Sequence, residues 1–128
     1  MIATPKNAPI CPITAALDVL GGKWKVFILS YLAEHGTLRF GELKRLIPRV
    51  TQKMLAQQLK ELEEAGLVNR RVYAQVPPKV EYRLTAHGET LCPVLHSLRE
   101  WGNLHREALG LGEAPCAEAT SDALSVAG

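Results

Sequence analysis

The chain predicts a mainly α domain that carries one small β-hairpin, and three observations support this. Apolar residues recur with the helical period of about 3.6 as far as residue 65. After Gly66 the period falls to about 2, where Val80, Tyr82 and Leu84 alternate with Glu81 and Arg83. The length of 128 residues, 47% hydrophobic and 22% charged, suits one ordinary globular domain rather than two domains or a disordered chain.

In order along the chain, residues 1–10 hold two prolines and no periodic pattern, and read as an arm. Ile13, Ala16, Leu17 and Leu20 then form a short amphipathic helix that Gly21-Gly22 stops. A second helix, nearly all apolar and so expected to be buried, runs from about Lys23 to Ala33 and ends near Gly36. Thr37-Leu38-Arg39-Phe40 reads as a short extended link. Gly41 to Ile47 is a two-turn helix stopped by Pro48. Thr51 is a suitable N-cap for the next helix, which continues to Ala65 and ends at Gly66. Leu67–Ala74 and the alternating run at Val80–Leu84 make the hairpin, with Gln75-Val76-Pro77-Pro78 as its stiff tip. Thr85 caps a segment through Leu91, and Pro93 kinks or restarts it as a helix to about Leu109. From Gly110 the chain loses all Lys and Arg and reads as a disordered tail over 110–128. The helices, the tight turn Pro48-Arg49-Val50 and the hairpin follow the order of a winged helix-turn-helix, with one domain over 11–109.

Several function classes drop out. The longest apolar stretch, Val26-Phe27-Ile28-Leu29 and, after Ser30, Tyr31-Leu32-Ala33, is far short of the roughly 18–20 residues of a membrane span. Met1 to Lys6 lack the charged start and apolar run of a signal peptide. Cys11, Cys92 and Cys116 are odd in number and scattered, which predicts reduced thiols in a cytoplasmic protein. No phosphate loop, nucleophile elbow or acid pair stands out, so the chain reads as a non-enzyme without cofactor. Cys92 and His96 have the i, i+4 spacing of two metal ligands, but no third converges, so no metal site is expected.

The charge is split. Residues 1–60 carry nine Lys/Arg and three Asp/Glu, a balance of +6. The remainder carries six and ten, a balance of −4, and the two sum to the net +2. The densest basic stretch, Arg39 to Lys53, fits either an anionic partner such as nucleic acid or a plain solvated face. The helix after Thr51 favours the first. On a helical wheel Leu55, Leu59 and Leu62 share one stripe, while Lys53, Gln57, Lys60 and Glu64 lie opposite. That outer face is Lys and Gln first and Glu last, the reverse of what the helix macrodipole favours. A recognition helix entering a DNA major groove by its N-terminal half accounts for this order. Gln and Arg suit base edges, while Lys, Thr and exposed backbone N–H groups suit phosphates. The DNA-binding set expected is Arg39, Lys44, Arg49, Thr51, Gln52, Lys53 and Gln57, with Gln75 and Lys79 near the hairpin tip. Arg70 and Arg83 fit an ordinary polar hairpin edge equally well.

With these residues in place the chain closely resembles the HxlR-type family of bacterial transcriptional regulators. The resemblance rests on Cys11-Pro12, Gly21-Gly22-Lys23-Trp24, Arg39-Phe40-Gly41-Glu42-Leu43, Ile47-Pro48 and Lys53-Met54-Leu55. It continues through Leu59, Leu62-Glu63, Gly66-Leu67-Val68, Pro77 to Tyr82, Leu84-Thr85, Gly88 and Trp101-Gly102, covering roughly residues 11–102. It implies a MarR-like winged helix that regulates transcription as a homodimer on double-stranded DNA, with the first and last helices making the dimer. Arg49-Val50-Thr51 stands where Gly-Ile-Ser is expected, so operator preference does not carry over. Some members resembling this chain use a cysteine at the position of Cys11 to sense oxidants or electrophiles. The start of a helix lowers a thiol pKa, which suits Cys11 to that role, and a small buried hydrophobe is the other reading.

The dimer has independent support. Leu91, Val94, Leu95, Leu98, Trp101, Gly102, His105, Ala108 and Leu109 span an arc of about 140°, wider than the roughly 100° stripe one core uses. Leu95, Leu98 and Trp101 are therefore expected at the subunit interface with Ile13, Leu17 and Leu20. The competing class is a winged-helix module whose basic face binds protein rather than DNA.

Overall fold

A computed structural model describes residues 11–113, so the arm, Cys116 and the chain beyond 113 lie outside the described residues. The elements are α1 (Pro12–Leu20), α2 (Trp24–His35), β1 (Thr37–Arg39), α3 (Phe40–Leu46), α4 (Gln52–Glu64), β2 (Val68–Tyr73), β3 (Lys79–Leu84), α5 (Ala86–Glu89) and α6 (Cys92–Ala108). The helix and hairpin order expected from the sequence is present.

The core forms around α2, whose Ile28, Leu29, Tyr31 and Leu32 are all buried. α2 carries apolar residues on every side because α3, α4, α6 and the sheet all pack on it. It ends where Gly36 takes a positive φ of +86°, which favours glycine, and returns its N–H to the Leu32 carbonyl. Leu55, Leu59 and Leu62 of α4 close the core from below, each at most 1% exposed. Each stabilises the fold by roughly 1.5–3 kcal/mol through burial alone.

The sheet differs from the sequence expectation. The Thr37–Arg39 segment is a strand, not a link, and Phe40 already belongs to α3. The order is β1-β3-β2, antiparallel throughout, so β3 is central. The ladder pairs Leu38 with Tyr82 and Val68 with Leu84, and these four are buried against the helices. Their neighbours Arg39, Glu81, Arg71, Thr37, Arg83 and Asn69 fall on the opposite, outward face.

Thr85 joins the hairpin to the end of α4. Its hydroxyl donates to the Gly66 carbonyl at 2.6 Å and accepts from the Gly88 N–H at 2.9 Å. Buried Gly88 lies so close to Leu67 that a Cβ would strike the Leu67 carbonyl. α5 then stops at Glu89 and α6 restarts with Pro93 in its first turn, where the missing N–H costs nothing. Gly110–Glu113, read as the start of the tail, are in part held: Arg106 Nε donates to the Gly112 carbonyl at 2.8 Å.

Candidate nucleic-acid interface

The turn between α3 and α4 is built from both ends. Glu42 Oε1 accepts the Arg39 backbone N–H at 2.7 Å, capping the start of α3. Val50 is buried and pins the turn to the core. Lys44 Nζ donates to the Pro48 carbonyl at 3.1 Å, so this cation braces the turn. Thr51 Oγ1 accepts the Met54 N–H at 3.0 Å, the N-cap expected of it.

With the Leu55 stripe buried, Thr51, Gln52, Lys53 and Gln57 stand exposed along the first turns of α4, and Arg49 stands exposed just before them. Met54 is 43% exposed beside them, an apolar group on the open face that the wheel did not single out. Gln57 Nε2 donates to Glu61 Oε2 at 2.9 Å. Glu61 Oε1 in turn meets Lys25 Nζ of α2 at 2.8 Å. These two donors, Lys25 first, hold the Glu61 carboxyl below its ordinary range.

Arg39 and Lys79 belong to a second surface. The ladder register puts them with Arg71 and Arg83 on the outward face of the sheet, around Glu81. Lys79 Nζ lies 3.4 Å from Glu81 Oε2 and 4.5 Å from the Tyr73 ring centroid, while Arg71 covers the same ring at 5.0 Å. The Tyr73 hydroxyl, followed by Lys79, lowers the Glu81 pKa. Arg70 pairs with Tyr82 and so projects to the other side. Period-2 counting alone could not sort these cations, because it does not fix which residue faces which across the ladder. Gln75 is exposed at the tip.

The residues expected between subunits divide. Leu95 is only 9% exposed and belongs to the chain's own core, and Leu20 packs against that core half-buried. Ile13, Leu17, Leu98 and Trp101 remain open, at 69%, 61%, 47% and 62% exposure, with Leu104 at 63% beside them. Trp101 stacks on His105 with ring centroids 5.0 Å apart.

Cys11 is the exposed N-cap residue of α1. The backbone N–H of Thr14, then that of Ile13 and the Thr14 hydroxyl, lower its thiol pKa. Cys92 is half-buried. His96 pairs with Glu100 at 3.2 Å, and among the described residues no three of His, Cys, Asp or Glu converge.

A braced turn, a helix with its polar N-terminal half in solvent and a three-stranded sheet ending in a hairpin define a winged helix-turn-helix protein of MarR-like architecture. Within that class the chain belongs to the HxlR-like helix-turn-helix family, which matches residues 19–109. It is a transcriptional regulator of this family. It is 56% identical over 93 residues to the HTH-type transcriptional regulator YtcD of Bacillus subtilis, a match covering 73% of each chain. Among solved structures, the redox regulator HypR in its reduced form superposes with a TM-score of 0.74 at 48% identity, over 78% of this chain and 98% of that one. The reduced form of the transcriptional regulator YodB from B. subtilis gives 0.65 at 38% identity, over 74% and 93%. These relatives are regulators rather than enzymes. Among the described residues no helix is long and apolar enough to cross a membrane.

Proposed function

We propose that the protein regulates transcription from the cytoplasm by binding double-stranded DNA sequence-specifically as a homodimer on an inverted repeat. The observation that carries this reading is the open N-terminal half of α4. There Gln52, Lys53 and Gln57 stand in solvent, while three leucines on the opposite side fix the helix. Gln52 and Gln57 read base edges, and Met54 lies beside them to meet a thymine methyl. Arg49, Thr51 and Lys53 meet phosphates, Lys44 supports the turn, and Gln75 reaches the flanking groove. Arg39 and Lys79 add positive potential from the sheet.

The exposed apolar side chains of α1 and α6 support the dimer, because a monomer would leave them in water. Two such helices related by a two-fold axis require half-sites centred about 34–36 Å apart, or a multiple of that. Footprinting on the DNA beside its own gene tests the reading. Protection of an inverted repeat with a steep loss of affinity in salt is expected. A flat salt response would instead indicate a protein-binding module. Cys11 couples this binding to an oxidant or electrophile, a role supported by its lowered pKa and by the kinship with HypR and YodB.

A further inference from the structure

β2 leaves the body of the domain after its first residue. Val68 is buried opposite Leu84, whereas Asn69 to Val72 are exposed and Tyr73 is half-buried. The ladder continues to Tyr73 opposite Lys79, so the hairpin projects roughly 17 Å past its buried rung, at about 3.4 Å per residue. At its end stand Val76, Pro77 and Pro78, all exposed. Val76, at 98%, is the most open large hydrophobic side chain among the described residues. A single exposed apolar residue needs no explanation, but three in a row at the end of a projecting ribbon do.

The charges behind the tip say what it approaches. From Ala65 to Val80 the chain carries Arg70, Arg71 and Lys79 and no acid. Glu81, the first acid after them, is engaged by Tyr73 and Lys79. The ladder sets Arg70 and Arg71 on opposite faces of the ribbon. Arg71 and Lys79 are held against the Tyr73 ring, 5.0 and 4.5 Å from its centroid. An apolar point with cations on both flanks matches a groove walled by phosphates and floored by stacked bases. The prolines fix φ near −65°, so the tip loses little backbone freedom when it is inserted.

We propose that Val76 and Pro77 form a wedge that enters the minor groove beside the sequence met by α4, parts one base step and bends the duplex. The inference rests on the DNA-binding reading above and adds to it a source of specificity that uses no base hydrogen bond. Parting a step costs least at flexible pyrimidine–purine steps such as TA and CA, so the site should carry one under the tip. Arg70 and Arg71 then meet the phosphates of the two groove walls. The cost of unstacking is offset because the bent duplex wraps more of the protein surface.

The test uses the full chain and a duplex of the DNA beside its own gene, labelled at both ends with an energy-transfer pair. Wild type should bend this duplex by roughly 20–90°, read as a rise in transfer. Val76→Ser, at an exposed position that leaves the core untouched, should abolish most of that rise and weaken binding about 10-fold. Its salt dependence should match wild type, since no phosphate contact is removed, and Val76→Ile should keep the bend. Gln57→Ala should also keep the bend while losing base discrimination. If wild type binds the duplex unbent, or Val76→Ser bends it as wild type does, the wedge is overturned and DNA binding stands. If wild type shows no salt-sensitive binding to the duplex, the DNA-binding reading fails and the wedge with it.

Discussion

Gln57 gives its side-chain amide to Glu61 one turn further along α4, at 2.9 Å, so the face proposed to meet bases is held from behind. Lys25 of α2 fixes the far oxygen of the same carboxylate at 2.8 Å. The position of Gln57 is therefore set by a residue of another helix. Gln57→Ala should cost about 1–3 kcal/mol at one base pair and little elsewhere. Glu61→Ala should lose part of the same discrimination without itself reaching DNA. Binding measured across single-base operator variants checks both, and a uniform loss would reassign Gln57 to the phosphate backbone.

The pair also predicts a pH dependence. The folded Glu61 carboxyl titrates below its ordinary value of 4.5, so its stabilisation is present above that value and is lost as pH falls through the lowered one. Glu61→Gln should therefore lower stability at neutral pH and converge with wild type in acid. Because the carboxylate is 36% exposed, the difference should stay below about 1 kcal/mol, read by urea denaturation at a series of pH values.

Cys11 should be the faster of Cys11 and Cys92 to alkylate, since it is open and its thiolate is favoured at the start of α1. Its rate against pH should have a midpoint below the usual thiol value of 9.0, falling as pH drops through it. Mass spectrometry of iodoacetamide-treated protein checks the order. Gel shifts before and after diamide, for wild type and Cys11→Ser, check the coupling to DNA. If oxidised wild type binds as well as reduced, Cys11 is structural.

Leu98→Glu and Trp101→Glu each place a charge on an exposed apolar site, so neither should unfold the monomer. Both should shift sedimentation from dimer to monomer at micromolar concentration, and with it weaken operator binding. A wild-type protein already monomeric there would refute the dimer.

Gly88→Ala should destabilise the fold by about 1–3 kcal/mol, because its Cβ meets the Leu67 carbonyl, which the Thr85 backbone N–H holds in place at 3.0 Å. Thermal denaturation checks this. An unchanged Tm would mean that α5 can shift away from Leu67 without loss.

What could be read from the sequence divides along the range of the interactions. The α4 stripe, its Thr51 cap and the stops at Gly36 and Pro48 were legible because they depend on neighbours within a turn. The strand at Thr37–Arg39 was not, since three residues are too few to show alternation and its partner β3 comes some forty residues later. For the same reason the outward grouping of Arg39, Arg71 and Arg83 needed the ladder. The wide apolar arc on α6 was visible, but a wheel cannot divide it between this chain's core and a second surface. Leu95 therefore fell on the wrong side of that division.

The three-residue strand β1 has a mechanical consequence. A free hairpin could swing at its base, but β3 here is stitched on one side to β2 and on the other to the segment that leads directly into α3. Hairpin and helix pair therefore travel as a single rigid jaw, and only residues 74–78, beyond the last rungs, can give independently. A jaw of fixed shape cannot adjust its own grip. Under the proposed DNA-binding role, a signal that opens or closes the grip acts at the pivot, where α1 and α6 leave the body, rather than within the jaw itself.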